Sequence, residues 1–148
     1  MRVVGLDHVS VSCAELDRSL AFYAQTLGLA IRERGELAGG AAEGITGLVG
    51  LRARFADLEL GAGRTLELLE FGSPSGPALA PELPRAGATH LALAVDDADA
   101  ALAAVAAAGY RIVSSTVCEI EEEGFWRGCR AFYCLDPDGV TVELIERP

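Results

Sequence analysis

The chain has 148 residues, 51% of them hydrophobic and 23% charged, which suits one domain or two small fused modules with a real core and excludes a disordered chain. Its formal net charge of −10 disfavours nucleic acid and anionic membrane as partners, because neither phosphate surface would be neutralised. All twelve basic residues are arginine, so Schiff-base and other lysine chemistry is excluded and proton transfer falls to His, Asp, Glu, Tyr or Cys.

Val3 to Cys13 alternates as a strand, with Val9, Val11 and Cys13 on one face and His8, Ser10 and Ser12 on the other. Asp17 to Leu27 has helical spacing and ends at Gly28, a left-handed stop. Leu29 to Glu36 reads as extended, and Ala38 to Gly47, with four glycines in ten residues, as a mobile loop. Leu51 to Leu60 and Arg64 to Phe71 read as strands joined by the short hairpin Gly61 Ala62 Gly63. A stretch rich in proline and glycine at 73–86 is the expected linker between a first module at 1–72 and a second at 87–148.

Past the linker the pattern returns. Gly87 to Val95 matches Gly5 to Cys13 and sets His90 against His8, while Asp96 to Ala108 is the matching helix, stopped by Gly109. Arg111 to Val117 is the next expected strand, Glu119 to Gly128 a loop and Gly128 to Leu135 a strand. Asp136 Pro137 Asp138 Gly139 is a turn, and Val140 to Glu146 the last strand. Gly63 Arg64 Thr65 Leu66 Glu67 Leu68 Leu69 Glu70 also matches Gly139 Val140 Thr141 Val142 Glu143 Leu144 Ile145 Glu146. Each half is therefore strand, helix and three strands, and the predicted fold is α+β, two tandem βαβββ modules whose curved mixed sheets enclose a shared cleft.

Both histidines of the chain occupy equivalent places on the first strand of a module, and Glu67 and Glu143 occupy equivalent places on the last. Two imidazoles and two carboxylates suit a divalent Ni, Co, Zn, Fe or Mn ion with two octahedral positions left open. Glu70 and Glu146, on the other parity, read as solvated strand-end residues. Cys13, Cys118, Cys129 and Cys134 lack CxxC spacing and read as buried free thiols. No apolar run is long enough to cross a bilayer and no signal-peptide build opens the chain, so a cytoplasmic location is expected.

Leu6 Asp7 His8 Val9, Leu66 Glu67 Leu68, Thr89 His90 Leu91 Ala92 and Asp136 Pro137 Asp138 Gly139 with Glu143 Leu144 together resemble the vicinal oxygen chelate superfamily of glyoxalases, epimerases, extradiol dioxygenases and bleomycin resistance proteins. The resemblance covers essentially the whole chain. It implies that His8, Glu67, His90 and Glu143 bind the metal and that the partner is a small molecule; a homodimer is expected, and the superfamily forms its cleft either within one chain or across a dimer. The implied chemistry is a glyoxalase-like isomerase, epimerase or lyase reaction: proton transfer next to a carbonyl through a metal-stabilised enediolate or enolate, with Glu143 or Glu67 as ligand and base in turn. The positions at which bacterial glyoxalase I enzymes hold glutathione are Ser12 and Phe71 here, which argues against that cosubstrate. Phe55, Leu69, Phe71, Trp126 and Tyr133 are candidates for shaping the pocket, and Arg54 and Arg130, with Arg52 and Arg127, for gripping an anionic group. The competing readings are an Fe(II)-dependent ring-cleaving dioxygenase and a resistance protein that sequesters an antibiotic without turnover.

Overall fold

Strand β1 spans His8–Cys13 and keeps the alternation read from the sequence, with Val11 and Cys13 buried and His8, Ser10 and Ser12 exposed. It starts later than Val3 because its parallel partner β4, Thr65–Ser73, begins at the register mate of His8. Before Thr65 the chain is still in the turn of Gly61, Ala62 and Gly63, all at positive φ, so residues 1–7 find no partner and form no strand. The computed structural model describes residues 1–77 and 83–148, and the chain divides into two units, Met1–Ala78 and Leu79–Pro148. Part of the predicted linker, residues 78–82, lies outside the described residues, and residues 74–77 and 83–89 form neither helix nor strand.

In the first unit the sheet order is β1-β4-β3-β2, with β2 at Ile31–Ala38 and β3 at Arg52–Glu59; β1 and β4 are parallel and the other pairs antiparallel. The helix between β1 and β2 is not uniform. Helix α1, Leu16–Leu20, passes into a π-helical turn, Ala21–Thr26, where the Leu27 N–H donates to the Phe22 carbonyl and the Thr26 hydroxyl to that of Ala21. Leu16, Leu20, Phe22 and Tyr23 are buried, and α1 lies against β3 and β4, whose Ala56, Leu58, Leu66 and Leu68 are fully buried.

The glycine-rich stretch expected to be a mobile loop contains helix α2, Gly40–Thr46. Its glycines carry little helix propensity. Local bonds compensate: the Thr46 hydroxyl donates to the Ala42 carbonyl, the Glu43 carboxylate accepts from the Gly50 N–H, and Gly47 stops the helix at φ 73°. α2 buries none of its residues, so no hydrophobic periodicity was present to announce it.

The second unit repeats the order as β5-β8-β7-β6, with β5 at His90–Val95, β7 at Arg130–Leu135, β8 at Thr141–Glu146 and the parallel pair again formed by the first and last strands. Helix α3, Ala98–Ala107, is capped by the Asp97 side chain on the Ala100 N–H at 2.9 Å and lies against β7 and β8. The strand expected at Arg111 to Val117 does not form. Ile112 makes one isolated bridge to Cys134, and then the Ser114 hydroxyl takes the Tyr133 N–H at 2.9 Å while the Tyr133 carbonyl accepts from Val113 and Ser114. A serine side chain thus replaces a rung of the ladder, and regular pairing is confined to a two-residue β6, Cys118–Glu119. Cys13, Cys129 and Cys134 are buried thiols as expected, but Cys118 is exposed on this frayed edge.

Glu70 and Glu146 are not idle strand ends. Each reaches across to the start of its unit's first helix, where Glu70 accepts the Leu16 N–H at 2.7 Å and Glu146 the Ala98 N–H at 2.9 Å. Carboxylates there satisfy an orphan helix donor and complement the helix dipole. We expect Glu146→Ala to lower unfolding free energy by about 1–2 kcal/mol, read by urea denaturation, with Glu146→Gln retaining part of it.

Candidate functional site

The parallel registers place the histidines and glutamates alike in both units. His8 is registered with Thr65 and Ser10 with Glu67; His90 is registered with Thr141 and Ala92 with Glu143. Directly paired residues share a sheet face, as do residues two apart along a strand, so each histidine and its glutamate stand on the face turned away from the helix. Val11, Leu68 and Leu144, on the other parity, are buried.

In the first unit His8 Nδ1 lies 2.8 Å from Asp7 Oδ1. That bond raises the imidazole pKa, against some desolvation, and Glu67 adds to it. It also holds Nδ1, leaving Nε2 for another partner, an arrangement in which a carboxylate orients a histidine ligand. Opposite Glu67 on the neighbouring strand is Asp57, which no motif in the sequence marks. Burial first and the Glu67 charge second raise its pKa, opposed by His8 and Arg32. Phe55 and Leu69 are paired on this face, and the Phe55 ring covers Gly35, where a Cβ would come within 2.7 Å of it. Phe71, paired with Ala53, is half-buried beyond them.

In the second unit His90 Nε2 and Glu143 Oε2 are 3.2 Å apart. Tyr133 is registered with Glu143 and its ring centroid lies 5.4 Å from that of His90. Burial, then the Glu143 charge, raises the phenol pKa, which keeps it a neutral hydrogen-bond donor. Asp57 and Tyr133 are equivalent residues of the two units. Equal spacing to Glu67 and to Glu143 in the sequence is the signal that would have found Asp57.

The candidate arginines lie elsewhere. Arg54 bonds Asp17 at 3.0 Å and Glu70 at 3.2 Å, and Arg130 bonds Asp99 at 2.6 Å and Glu146 at 3.1 Å, each tying its sheet to the first turn of the helix. Both belong to the helix parity, with Ala56 and Phe132, and not to the histidine face. Arg127 pairs with Glu123. Trp126 stacks edge-on against Phe125 with the Arg147 guanidinium 4.7 Å from its ring, leaving it about half exposed. Arg52 lines a surface depression of about 240 Å³ with Glu36, Arg54 and Glu70, on the first unit.

An imidazole nitrogen and a carboxylate oxygen are donors that a divalent ion accepts, and His90 Nε2 with Glu143 Oε2, 3.2 Å apart as an ion pair, are one such set. Among the described residues no three His, Cys, Asp or Glu side chains are drawn together as a metal site, so each unit offers a pair.

A family model described as the Glyoxalase/Bleomycin resistance protein/Dioxygenase superfamily matches residues 5–144. A 2-epi-5-epi-valiolone epimerase from an Actinomyces species is 31% identical over 98% of this chain and 80% of its own length. A glyoxalase family protein from Bacillus cereus superposes with a TM-score of 0.85 at 22% identity, covering 99% of this chain and 95% of that one. The trypanothione-dependent glyoxalase I of Leishmania major gives 0.62 at 20% identity over 94% and 84%.

Asp57, beside the charge of Glu67, carries a pH signature. A folded-state pKa above the unfolded value means that the native state binds more protons between the two, so stability falls as pH rises through that window. In metal-free protein, Asp57→Asn should raise stability at pH 7 by about 0.2–1 kcal/mol, with the gain vanishing below the unfolded carboxylate pKa; thermal unfolding across pH 3–8 reads it.

Proposed function

The chain belongs to the Glyoxalase/Bleomycin resistance protein/Dioxygenase superfamily, and from that premise we propose that it is a divalent-metal-dependent epimerase acting next to a carbonyl of a small molecule. The observation that carries the reading is the repeated pairing of one imidazole with one carboxylate at the same register in both units. Support for epimerisation over other proton transfers comes from the relative named as an epimerase.

His8, Glu67, His90 and Glu143 would hold the ion, which supplies Lewis-acid polarisation of the substrate carbonyl. Glu143, mostly shielded and beside His90, accepts the proton from the carbon next to the carbonyl, and the electron pair of the broken C–H bond delocalises toward oxygen. Return of a proton to the opposite side of that carbon inverts it; Glu67, the equivalent carboxylate of the first unit, is the alternative base. Asp7 positions the His8 ring, and Tyr133, neutral at physiological pH, offers a hydrogen bond to a substrate oxygen.

Protein purified without chelator should carry about one divalent ion per chain, and Glu143→Gln should lose metal affinity and reduce activity at least about a hundredfold. The assays are metal analysis by mass spectrometry and deuterium exchange next to the carbonyl. Full exchange activity in metal-stripped protein would sink the reading.

A further inference from the structure

Tyr133 stands opposite Glu143 with its ring 5.4 Å from that of His90, and among the described residues its hydroxyl has no hydrogen-bond partner. What holds the residue there is its backbone. In an antiparallel sheet the N–H and C=O of one residue point to the same neighbouring strand, so a residue bonded on one side has no rung on the other. The Tyr133 carbonyl accepts from Val113 at 2.7 Å and from Ser114 at 3.3 Å, and its N–H donates to the Ser114 hydroxyl at 2.9 Å. Both groups are thus spent on the frayed edge. Toward β8, Tyr133 and Glu143 form a pair without hydrogen bonds, the kind in which side chains stand closer.

A regular ladder would return the Tyr133 N–H to the Val113 carbonyl. The first unit is regular at the equivalent place, where Asp57 pairs with Glu33 in a ladder that runs unbroken to Ala38. In the second unit pairing on this side is limited to the Ile112 bridge and the two residues of β6, so one serine hydroxyl fastens the amide of Tyr133. We propose that Ser114 is a positioning residue: by holding that amide it sets the phenol against His90 and Glu143, and so aims the hydrogen bond offered to a substrate oxygen. The catalytic half of this inference rests on the epimerase reading. A functional side chain on a strand is only as well aimed as the bonds behind it, and here a single side chain supplies one of them.

The test uses Ser114→Ala, which removes the acceptor, and Ser114→Thr, which keeps a hydroxyl, each in wild type and in Tyr133→Phe. NMR of the full chain follows the cross-relaxation contact between the Tyr133 and His90 rings, and deuterium exchange next to the carbonyl of hydroxyacetone gives kcat/KM for the metal-loaded protein. Ser114→Ala should weaken the ring contact and lower kcat/KM about tenfold, Ser114→Thr should restore both to within about twofold, and Ser114→Ala should cost nothing further once Tyr133 is Phe. A residue that merely supports the edge would lower kcat/KM by the same factor in both backgrounds. That equality, an unchanged ring contact in Ser114→Ala, or failure of Ser114→Thr to restore it would each overturn the proposal. If wild type exchanges no hydrogen of the probe, the fault lies with the epimerase reading, and the ring contact alone still decides whether Ser114 positions Tyr133.

Discussion

The parallel pairing of first and last strands is the constraint on which the rest depends. A strand shifted by one residue presents its opposite face, so the β1–β4 and β5–β8 registers decide whether the histidines share a face with Glu67 and Glu143 or with the buried leucines. Each last strand carries two glutamates three positions apart, hence on opposite faces. One faces the histidine and the other binds the first backbone amide of the helix, at Leu16 or Ala98. The structural glutamate fixes where the helix begins, and with it which side of the sheet is covered. Arg54 and Arg130 complete the clamp by joining that glutamate to an aspartate of the helix.

Much of this was legible in the sequence, for a physical reason. Strand alternation and internal repetition are written residue by residue, and they led to the two βαβββ modules and to the twin His and Glu positions. Less legible was anything decided by a single hydrogen bond. Ser114 ends a strand that hydrophobicity alone would continue, and Glu43 with Thr46 supports a helix that glycine content argues against. The arginines show the complementary case: their charge suggests a grip on an anionic group, while parity places Arg54 and Arg130 on the helix side, where they pair with acidic residues. Asp57 was hidden because it lies outside the repeat-identical residues, and its partner is known only once the β3–β4 hairpin fixes which residues stand opposite.

The units agree in the pairing of His and Glu and differ in what stands beside it. The first sets a carboxylate, Asp57, and an aromatic shelf of Phe55 over Gly35 next to Glu67; the second sets a phenol next to Glu143. Duplication thus preserved the residues that the registers place alike, while the neighbouring positions diverged into an acceptor on one side and a donor on the other.

The hairpins also decide where this chain can change length. Between β2 and β3 the first unit carries a helix that the second lacks, and the sheet order survives, since that connection lies outside the pairing of the first and last strands. Between β3 and β4, and between β7 and β8, the count from Asp57 to Glu67 and from Tyr133 to Glu143 is the same. An insertion of one residue there would slide Asp57 or Tyr133 to the helix side or demand a bulge. Insertions and deletions among relatives should therefore gather in the connection before β3 and avoid the turns at Gly61–Gly63 and Asp136–Gly139, whose lengths are tied to the chemistry of the face they serve.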